Sequence, residues 1–275
     1  MKAISPSRFA DSGGCAKSLY YSCPDYFKNE NNNYSSDDNQ NEKQKAGTIV
    51  HNIVQYVFVG VDANERKERY NMALNAIENT KNCEAIDELI ININGNKNLE
   101  KGLIGHQIRT LIWNEAPALL DCTYNLLKKL EEKINNSKGK WNITAERGTR
   151  DIKNVKIKVL QEEMIVRTSI DLVFAYGKYV IIGEIKTGSP EPYKLEKWEL
   201  QVQLMMKTWE IKYPDDKVHG FIINGELDNR SGFKRIRNTK KVDQLEYLNK
   251  ESLKPGYMQC KKCIVKDNCE KAILQ

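Results

Sequence analysis

Three ionisable residues occur where the surrounding sequence is otherwise apolar. Asp171 interrupts the β-branched run Met164–Phe174, and Glu184 and Lys186 stand at the end of a second such run, Tyr179–Ile185. Side chains two apart on a strand point to the same face, so Glu184 and Lys186 share a face and the isoleucine between them points to the other. The spacing therefore predicts that a carboxylate and an ammonium group leave one face of a sheet together.

The residues Ala175–Lys178 connect the two runs and indicate a β-hairpin or two adjacent strands. Pairing about this connection brings Asp171 level with Glu184 and Lys186. Buried charges are costly unless they are paired or bind a metal. Two carboxylates on neighbouring strands suit Mg²⁺ or Mn²⁺, and an adjacent lysine can orient or deprotonate an attacking water. An exposed strand end with a solvated Glu–Lys pair is the alternative interpretation.

A second group of residues with metal-binding chemistry lies near the end of the sequence. Cys260, Cys263 and Cys269 form a C-x₂-C-x₅-C pattern, and three thiolates at this spacing can surround one metal centre. A tetrahedral zinc or a [4Fe–4S] cluster needs a fourth ligand, for which Cys15 and Cys23 are the candidates. The two remaining cysteines are predicted to be ordinary core thiols. An odd count and this clustering favour metal or cluster ligation over disulfides.

Composition limits the classes of protein to which this chain can belong. The 275 residues are 29% charged and 40% hydrophobic, which is ordinary for a globular protein. The net charge of +6 is compatible with a polyanionic partner. No apolar run approaches the roughly 20 residues that span a bilayer, and the first residues lack the apolar core of a signal peptide. We therefore expect a cytoplasmic protein.

Changes in composition and in hydrophobic periodicity along the chain predict five segments. Residues 1–28 form an N-terminal segment with a short helix, 29–45 a mobile polar loop, 46–140 a helical region, 141–253 an α/β core and 254–275 a cysteine-bearing C-terminal segment. Helical periodicity predicts helices over 46–59, 63–80, 84–93, 195–212 and 239–253, and one or two helices over 99–135 that Pro117 kinks or divides. Alternating runs predict strands over 141–146, 155–160, 218–224 and 233–237.

Asp171 followed by Glu184-Ile185-Lys186 resembles the D…(D/E)-x-K signature of the PD-(D/E)XK nuclease superfamily. Other landmarks occur in a consistent order over nearly the whole chain. Together they resemble the RecB-like branch, and most of all the CRISPR-associated iron–sulfur exonuclease family (the fourth Cas family). These landmarks are Ser5–Tyr21 with Cys15, Gly47-Thr48-Ile49-Val50-His51, Asp171, Glu184-Ile185-Lys186, Gln201 and the C-terminal cysteines.

The resemblance implies a restriction-endonuclease-like central mixed sheet flanked by helices, and a role for each matching residue. His51, Asp171, Glu184 and the carbonyl of Ile185 would bind Mg²⁺ or Mn²⁺, Lys186 would be the catalytic lysine, and Gln201 would position the lysine or the substrate. The tyrosine expected four residues after the helix glutamine is Met205, which leaves Gln203 open as the alternative glutamine. Without this context, a lone histidine on an apolar helix face is usually a packed core residue.

The resemblance also implies that Cys15, Cys260, Cys263 and Cys269 bind a [4Fe–4S] cluster that staples the termini together. Cys23 stays an alternative because a proline follows it, as is usual after the family's N-terminal cysteine. A zinc site in a protein of unrelated function is the other interpretation of the cysteines.

The implied activity is cleavage of DNA, typically single strands from an end. CRISPR integration proteins or a helicase would be partners. The glycine usual shortly before the motif aspartate is Thr168, and this departure together with Met205 motivates a second hypothesis, a catalytically silent DNA-binding or assembly subunit. A basic run near the C-terminus could track a phosphate backbone or form a solvated face: Lys234, Arg235, Arg237, Lys240 and Lys241.

Overall fold

A computed structural model of the chain describes residues 2–11, 42–78, 87–90, 93, 106–134, 142–145, 155–159, 162–227 and 232–247. Its strands are β1 (Lys2–Ile4), β2 (Asn142–Ala145), β3 (Val155–Val159), β4 (Glu162–Val166), β5 (Leu172–Tyr176), β6 (Tyr179–Ile185), β7 (Lys217–Ile223) and β8 (Phe233–Ile236). Its helices are α1 (Pro6–Asp11), α2 (Glu42–Phe58), α3 (Ala63–Glu78), α4 (His106–Ile134), α5 (Pro192–Lys212) and α6 (Lys240–Tyr247). Helices and strands together confirm the α/β class.

The larger sheet contains five strands in the order β2-β5-β6-β7-β8. β6 and β7 run parallel, whereas the other neighbouring pairs are antiparallel, so the sheet is mixed. The central strand β6 is buried from Val180 to Ile185 because helices cover both faces of the sheet, which explains its nearly continuous apolar sequence. The predicted pairing of the two apolar runs is confirmed for β5 and β6, which are joined at Gly177-Lys178.

The prediction of one continuous run over Met164–Phe174 is wrong. Met164 and Val166 belong to β4, which lies in a separate three-stranded sheet of order β1-β4-β3. Alternation in β4 buries Met164 and Val166 against α1 and α5, whereas β5 packs in the larger sheet. β1, which no sequence pattern indicated, pairs in parallel with β4. A three-residue strand is too short to show a periodicity of its own.

Several predicted helices are confirmed with shifted ends. α2 begins at Glu42, so residues 42–45 are helical rather than part of the predicted loop; the rest of that loop lies outside the described residues. α4 is a single helix that contains Pro117. No helix among the described residues is long and apolar enough to cross a membrane.

Helices pack on both faces of the larger sheet. On one face, α2, α3 and α4 share a core with alternate residues of β5, β6 and β7, such as Phe174, Ile185 and Ile223. On the other face, α5 packs through the apolar side that its periodicity predicts, including Val202, Met206 and Trp209. The predicted helical region and the predicted α/β core therefore share a core, because one hydrophobic cluster contains residues of both.

Candidate active site

The β5–β6 hairpin brings the two predicted carboxylates to one edge of the sheet. Leu172 pairs with Gly183, so Asp171 and Glu184 come level as the two strands end. The Asp171 Oδ2 atom accepts a hydrogen bond from the Ile185 N–H at 2.8 Å. This hydrogen bond holds Asp171 against the backbone of the Glu184-Ile185-Lys186 segment. The sequence predicted that these residues come close together when the two runs pair as a hairpin.

Glu184, Lys186 and Gln201 form a closed triangle of hydrogen bonds. Lys186 Nζ donates to Glu184 Oε1 and to Gln201 Oε1, each at 2.8 Å, and Gln201 Nε2 donates to Glu184 Oε1 at 2.6 Å. Gln201 reaches the strand because α5 crosses this face of the sheet. Gln203 instead accepts a hydrogen bond from the backbone N–H of Lys241 at 3.0 Å, so Gln201 is the glutamine that contacts the predicted lysine.

His51 reaches the aspartate from the helix α2. The apolar face of α2 packs against the core through Val50, Ile53, Val54 and Val57. His51 lies at the border of that face. Its Nδ1 atom lies 3.3 Å from Asp171 Oδ1. One turn further along the helix, the side-chain amide of Gln55 donates to the backbone carbonyl of Asp171 at 3.1 Å. The histidine and the aspartate therefore meet across two elements that are more than 100 residues apart.

The pKa values of two groups in this cluster, Glu184 and His51, are raised, for different reasons. Burial, followed by the charge of Asp171, raises the pKa of Glu184 from 4.5 to about 7, against the opposing effect of Lys186. Burial by itself would lower the pKa of His51, but the charge and hydrogen bond of Asp171 and the charge of Glu184 outweigh it, so the pKa is raised above 6.5. Two acids of like charge are thus held together, an arrangement common in functional sites.

The donor atoms suit a hard divalent cation, although no three His, Cys, Asp or Glu side chains of the described residues already surround a common metal position. The Glu184 Oε2 atom is buried and has no hydrogen-bond partner. The 3.3 Å between His51 and Asp171 is close to the about 3 Å that separates adjacent ligands of Mg²⁺ at about 2.1 Å. The unpaired Oε2 atom of Glu184, together with the carboxylate of Asp171 and the imidazole of His51, therefore fits a hard divalent cation.

Sequence reasoning missed Asn224, which lies directly after β7. Because β6 and β7 are parallel, their carboxyl ends meet at the same edge, and Lys186 N–H donates to the Ile223 carbonyl at 2.8 Å. The Asn224 side-chain amide donates to the carbonyls of Lys186 and Gly188. A polar residue after an apolar strand is a usable signal, but only once that strand is known to lie beside β6.

The two departures from the family pattern lie in packed regions. Thr168 is buried with its hydroxyl 3.4 Å from that of Thr208, and Met205 packs in the cluster beneath α5.

The basic run is partly engaged elsewhere, because Lys234 Nζ lies 2.5 Å and Lys241 Nζ 3.7 Å from the two oxygens of Glu199. Arg235 and Arg237 are exposed, which fits both interpretations of this run.

The five cysteines proposed as cluster ligands lie outside the described residues: Cys15, Cys23, Cys260, Cys263 and Cys269. Within the described part of the chain, Cys122 is a buried free thiol of α4, as expected of a core cysteine.

Comparison with known proteins leaves the family open. No protein-family model and no curated protein matches the chain. A solved structure titled "Crystal structure of SSO0001" aligns over 84% of this chain and 96% of its own, with 16% identity and a TM-score of 0.33. Overlap at this level transfers neither a fold nor an activity, so function has to be argued from the site.

Proposed function

We propose that this chain is a Mg²⁺- or Mn²⁺-dependent nuclease of the RecB-like PD-(D/E)XK type that hydrolyses phosphodiester bonds in DNA, as an exonuclease on single strands. The observation that carries the proposal is the cluster in which the partly buried Asp171, Lys186 and His51 meet the buried Glu184 and Gln201. Five side chains from α2, α5 and the β5–β6 hairpin converge at one sheet edge. The strand arrangement around them is compatible with a restriction-endonuclease-like core.

Each residue of the cluster has a role that its contacts support. His51, Asp171, Glu184 and the Ile185 carbonyl would hold the divalent ion. When bound, the ion would polarise the scissile phosphate and lower the pKa of a water molecule. Glu184 Oε2, which has no other partner, is the oxygen best suited to this contact.

Lys186 is placed to act on the charge that develops during hydrolysis. Its ammonium group donates to two oxygens at 2.8 Å and so is held by Glu184 and Gln201 rather than swinging freely on its four-carbon stem. A fixed cation beside the scissile phosphate orients the attacking water and stabilises the negative charge on the phosphate oxygens. Gln201 contributes by fixing both partners, since its amide contacts the lysine and the glutamate together.

The N-terminal half of α5 offers a path for a polyanionic strand. Lys194, Lys197 and Gln201 follow the i, i+3, i+7 spacing that places residues on one face of a helix. Lys194 is partly exposed, and its ion pair with Glu191 at 3.4 Å is a weak surface contact. Phosphates of a DNA strand that lies along this face would be led towards Lys186.

Packing near both ends of the chain supports the iron–sulfur staple as part of the proposal. Phe9 of α1 and Val242 of α6 belong to one hydrophobic cluster with Leu204 of α5. Cys15 follows the end of α1 by four residues and Cys260 follows α6 by thirteen. The described helices nearest to the two sets of cysteines therefore pack together, as a cluster that links the two ends would require.

The decisive experiment compares Lys186→Ala with the wild-type protein, purified anaerobically and assayed on end-labelled single-stranded DNA. We expect hydrolysis with Mg²⁺ or Mn²⁺, its loss with EDTA, and a fall of at least about 100-fold in Lys186→Ala. Lys207→Ala is the matched control, because this lysine of α5 pairs with Asp243 instead. Wild-type protein that binds DNA but never cleaves it would support the silent subunit instead.

Metal analysis of the same preparation tests the staple. We expect bound iron and sulfide with broad visible absorbance, both reduced in Cys263→Ala, and the Cys15→Ala and Cys23→Ala variants identify the fourth ligand. Colourless protein with stoichiometric zinc would overturn the cluster, because zinc is d¹⁰ and spectroscopically silent.

A further inference from the structure

The side chain of Asn224 forms hydrogen bonds with the main chain on both sides of Thr187, the residue that follows Lys186. Its buried Nδ2 atom donates to the Lys186 carbonyl at 3.0 Å and to the Gly188 carbonyl at 2.8 Å. Its Oδ1 atom accepts from the backbone N–H of Glu226 at 3.0 Å. The Asn224 amide group therefore donates both of its hydrogen bonds to the turn that follows Lys186. Its Oδ1 atom accepts a hydrogen bond from the loop that follows β7.

The same turn is held from two further sides. Glu115 of α4 accepts the Gly188 N–H at 3.1 Å, and Gly188 has the positive φ of +76° that favours glycine. Gly47 of α2 lies so close that a Cβ atom at this position would be 3.2 Å from the Thr187 hydroxyl. The turn is thus enclosed by α2, α4 and the end of β7.

The strand ladder cannot by itself fix the position of Lys186. Pairing of β6 with β7 ends at Ile185, and the ladder holds Lys186 only through its N–H, which donates to Ile223. The carbonyl side of Lys186 is held by Asn224. Because the ammonium group lies at the end of four methylene groups, a small rotation of this backbone would move it away from Glu184.

We propose that Asn224 is a positioning residue that acts through Lys186, an inference that rests on the nuclease function proposed above. Its two hydrogen bonds keep the backbone of the lysine and its turn in the one orientation that holds the ammonium against Glu184 and Gln201. Asn224 itself touches neither the substrate nor the ion. Misplacement of a catalytic group by about 1 Å can lower a rate about 100-fold.

The experiment measures single-turnover and steady-state hydrolysis of end-labelled single-stranded DNA by Asn224→Asp and Asn224→Ala. Asn224→Asp keeps the shape of the side chain but, when ionised, donates no hydrogen bond to the two carbonyls. We expect kcat to fall about 10- to 100-fold with KM changed less than about twofold. Thr123→Val is the control for stability, since it removes another buried hydrogen bond, at 2.8 Å to Leu119, within α4.

A double-mutant cycle with Gln201→Ala separates positioning of the lysine from general destabilisation. Both substitutions loosen the same ammonium group, so the double variant should lose much less than the product of the two single losses. Thr123→Val combined with Gln201→Ala should instead show independent effects. If Asn224→Asp does not fold, Asn224→Ser keeps one donor, and we expect a smaller fall in kcat of about three- to tenfold.

Three results would overturn the inference. The first is an active wild type whose Asn224 variants keep their kcat, which would leave the nuclease function standing. The second is a loss that multiplies fully with that of Gln201→Ala, which would show that Asn224 acts by another route. The third is wild-type protein with no cleavage at all, which would remove the proposed function and this inference together.

Discussion

Two charged clusters of this molecule differ in how deeply their acids are buried and in how close those acids lie to one another. In the helical patch between α3 and α4, Arg66 pairs with Glu131 at 2.6 Å, and the hydroxyl of Tyr70 donates to Asp121. Here a donor or cation faces each acid. Donors also face Asp171 and Glu184 at the edge of the sheet, but there two carboxylates lie together, and burial and the neighbouring charge raise the pKa of Glu184 to about 7.

The two clusters differ in whether the folded protein holds two carboxylates close together. Complementary pairs such as the one in the helical patch are arrangements that favour the folded state. Like charges held in a buried site lower the stability of the apoprotein, and such conflicts are expected where a protein binds an ion or a reacting group.

The largest effect should come from Glu184→Gln. The substitution removes a carboxylate that would hold the ion, and we expect hydrolysis of DNA to fall by more than about 1,000-fold. The free energy of unfolding at pH 8 should stay level or rise, because the buried negative charge is gone. Glu131→Gln in the helical patch is the matched control, and it should keep its activity. An active Glu184→Gln would show that this carboxylate has no catalytic part.

The pH dependence of stability should differ between wild type and Glu184→Gln. Below about pH 4.5, Glu184 is protonated in the folded protein and in the unfolded chain. Between pH 4.5 and about 7, the folded protein keeps a proton on Glu184 that the unfolded chain releases. The free energy of unfolding of the wild type therefore falls as pH rises through this window, by about 1–3 kcal/mol relative to Glu184→Gln. Urea titrations with a chelator measure the difference. The raised pKa of His51 acts in the same direction.

Saturating Mn²⁺ should reduce this pH-dependent loss of stability. Metal ligands bind in their deprotonated forms, so the ion favours the ionised glutamate and adds stability above pH 7. A difference between the two proteins that stays constant with pH would contradict the assignment of the raised pKa to Glu184.

Arg66→Met should have a smaller effect, confined to stability. The substitution removes the partner of Glu131, whose side chain is 38% exposed and can regain water, so we expect a loss of about 1–2 kcal/mol. The kcat for DNA hydrolysis should remain within about twofold, since the helical patch contributes no group to the site. A selective loss of kcat in a fully folded Arg66→Met would mean that the two clusters are coupled.

Lys194→Glu should have the smallest effect, on binding alone. If the lysine contacts one phosphate, the slope of log affinity against log salt should decrease by about 0.7 for a single strand. Fluorescence anisotropy with a labelled oligonucleotide at several salt concentrations measures this slope. Lys178→Glu is the control, because Lys178 lies exposed in the β5–β6 turn at the other end of the hairpin. Equal changes in both variants would point to net charge rather than a local contact.

Local pattern was sufficient for the part of the site that lies on one hairpin. Alternation along β6 and pairing across a short turn bring Asp171, Glu184 and Lys186 together, because strand geometry relates these residues through few intervening ones. The apolar periodicity of α5 likewise predicts its buried side. The same local reasoning failed for the run that contains Met164, since nothing in a run of apolar residues says where one sheet ends and another begins.

What the amino-acid order determined, then, is the hairpin and the three ionisable side chains that it brings together. The family resemblance pointed to His51 and Gln201, but only tertiary structure shows that His51 reaches Asp171 and that Gln201 rather than Gln203 contacts Lys186. It alone also shows that Asn224 holds the turn. The reason is physical. Periodicity reports only which side of an element is apolar, whereas the partner of a polar group depends on how whole helices and strands cross, and that is settled by packing of the core.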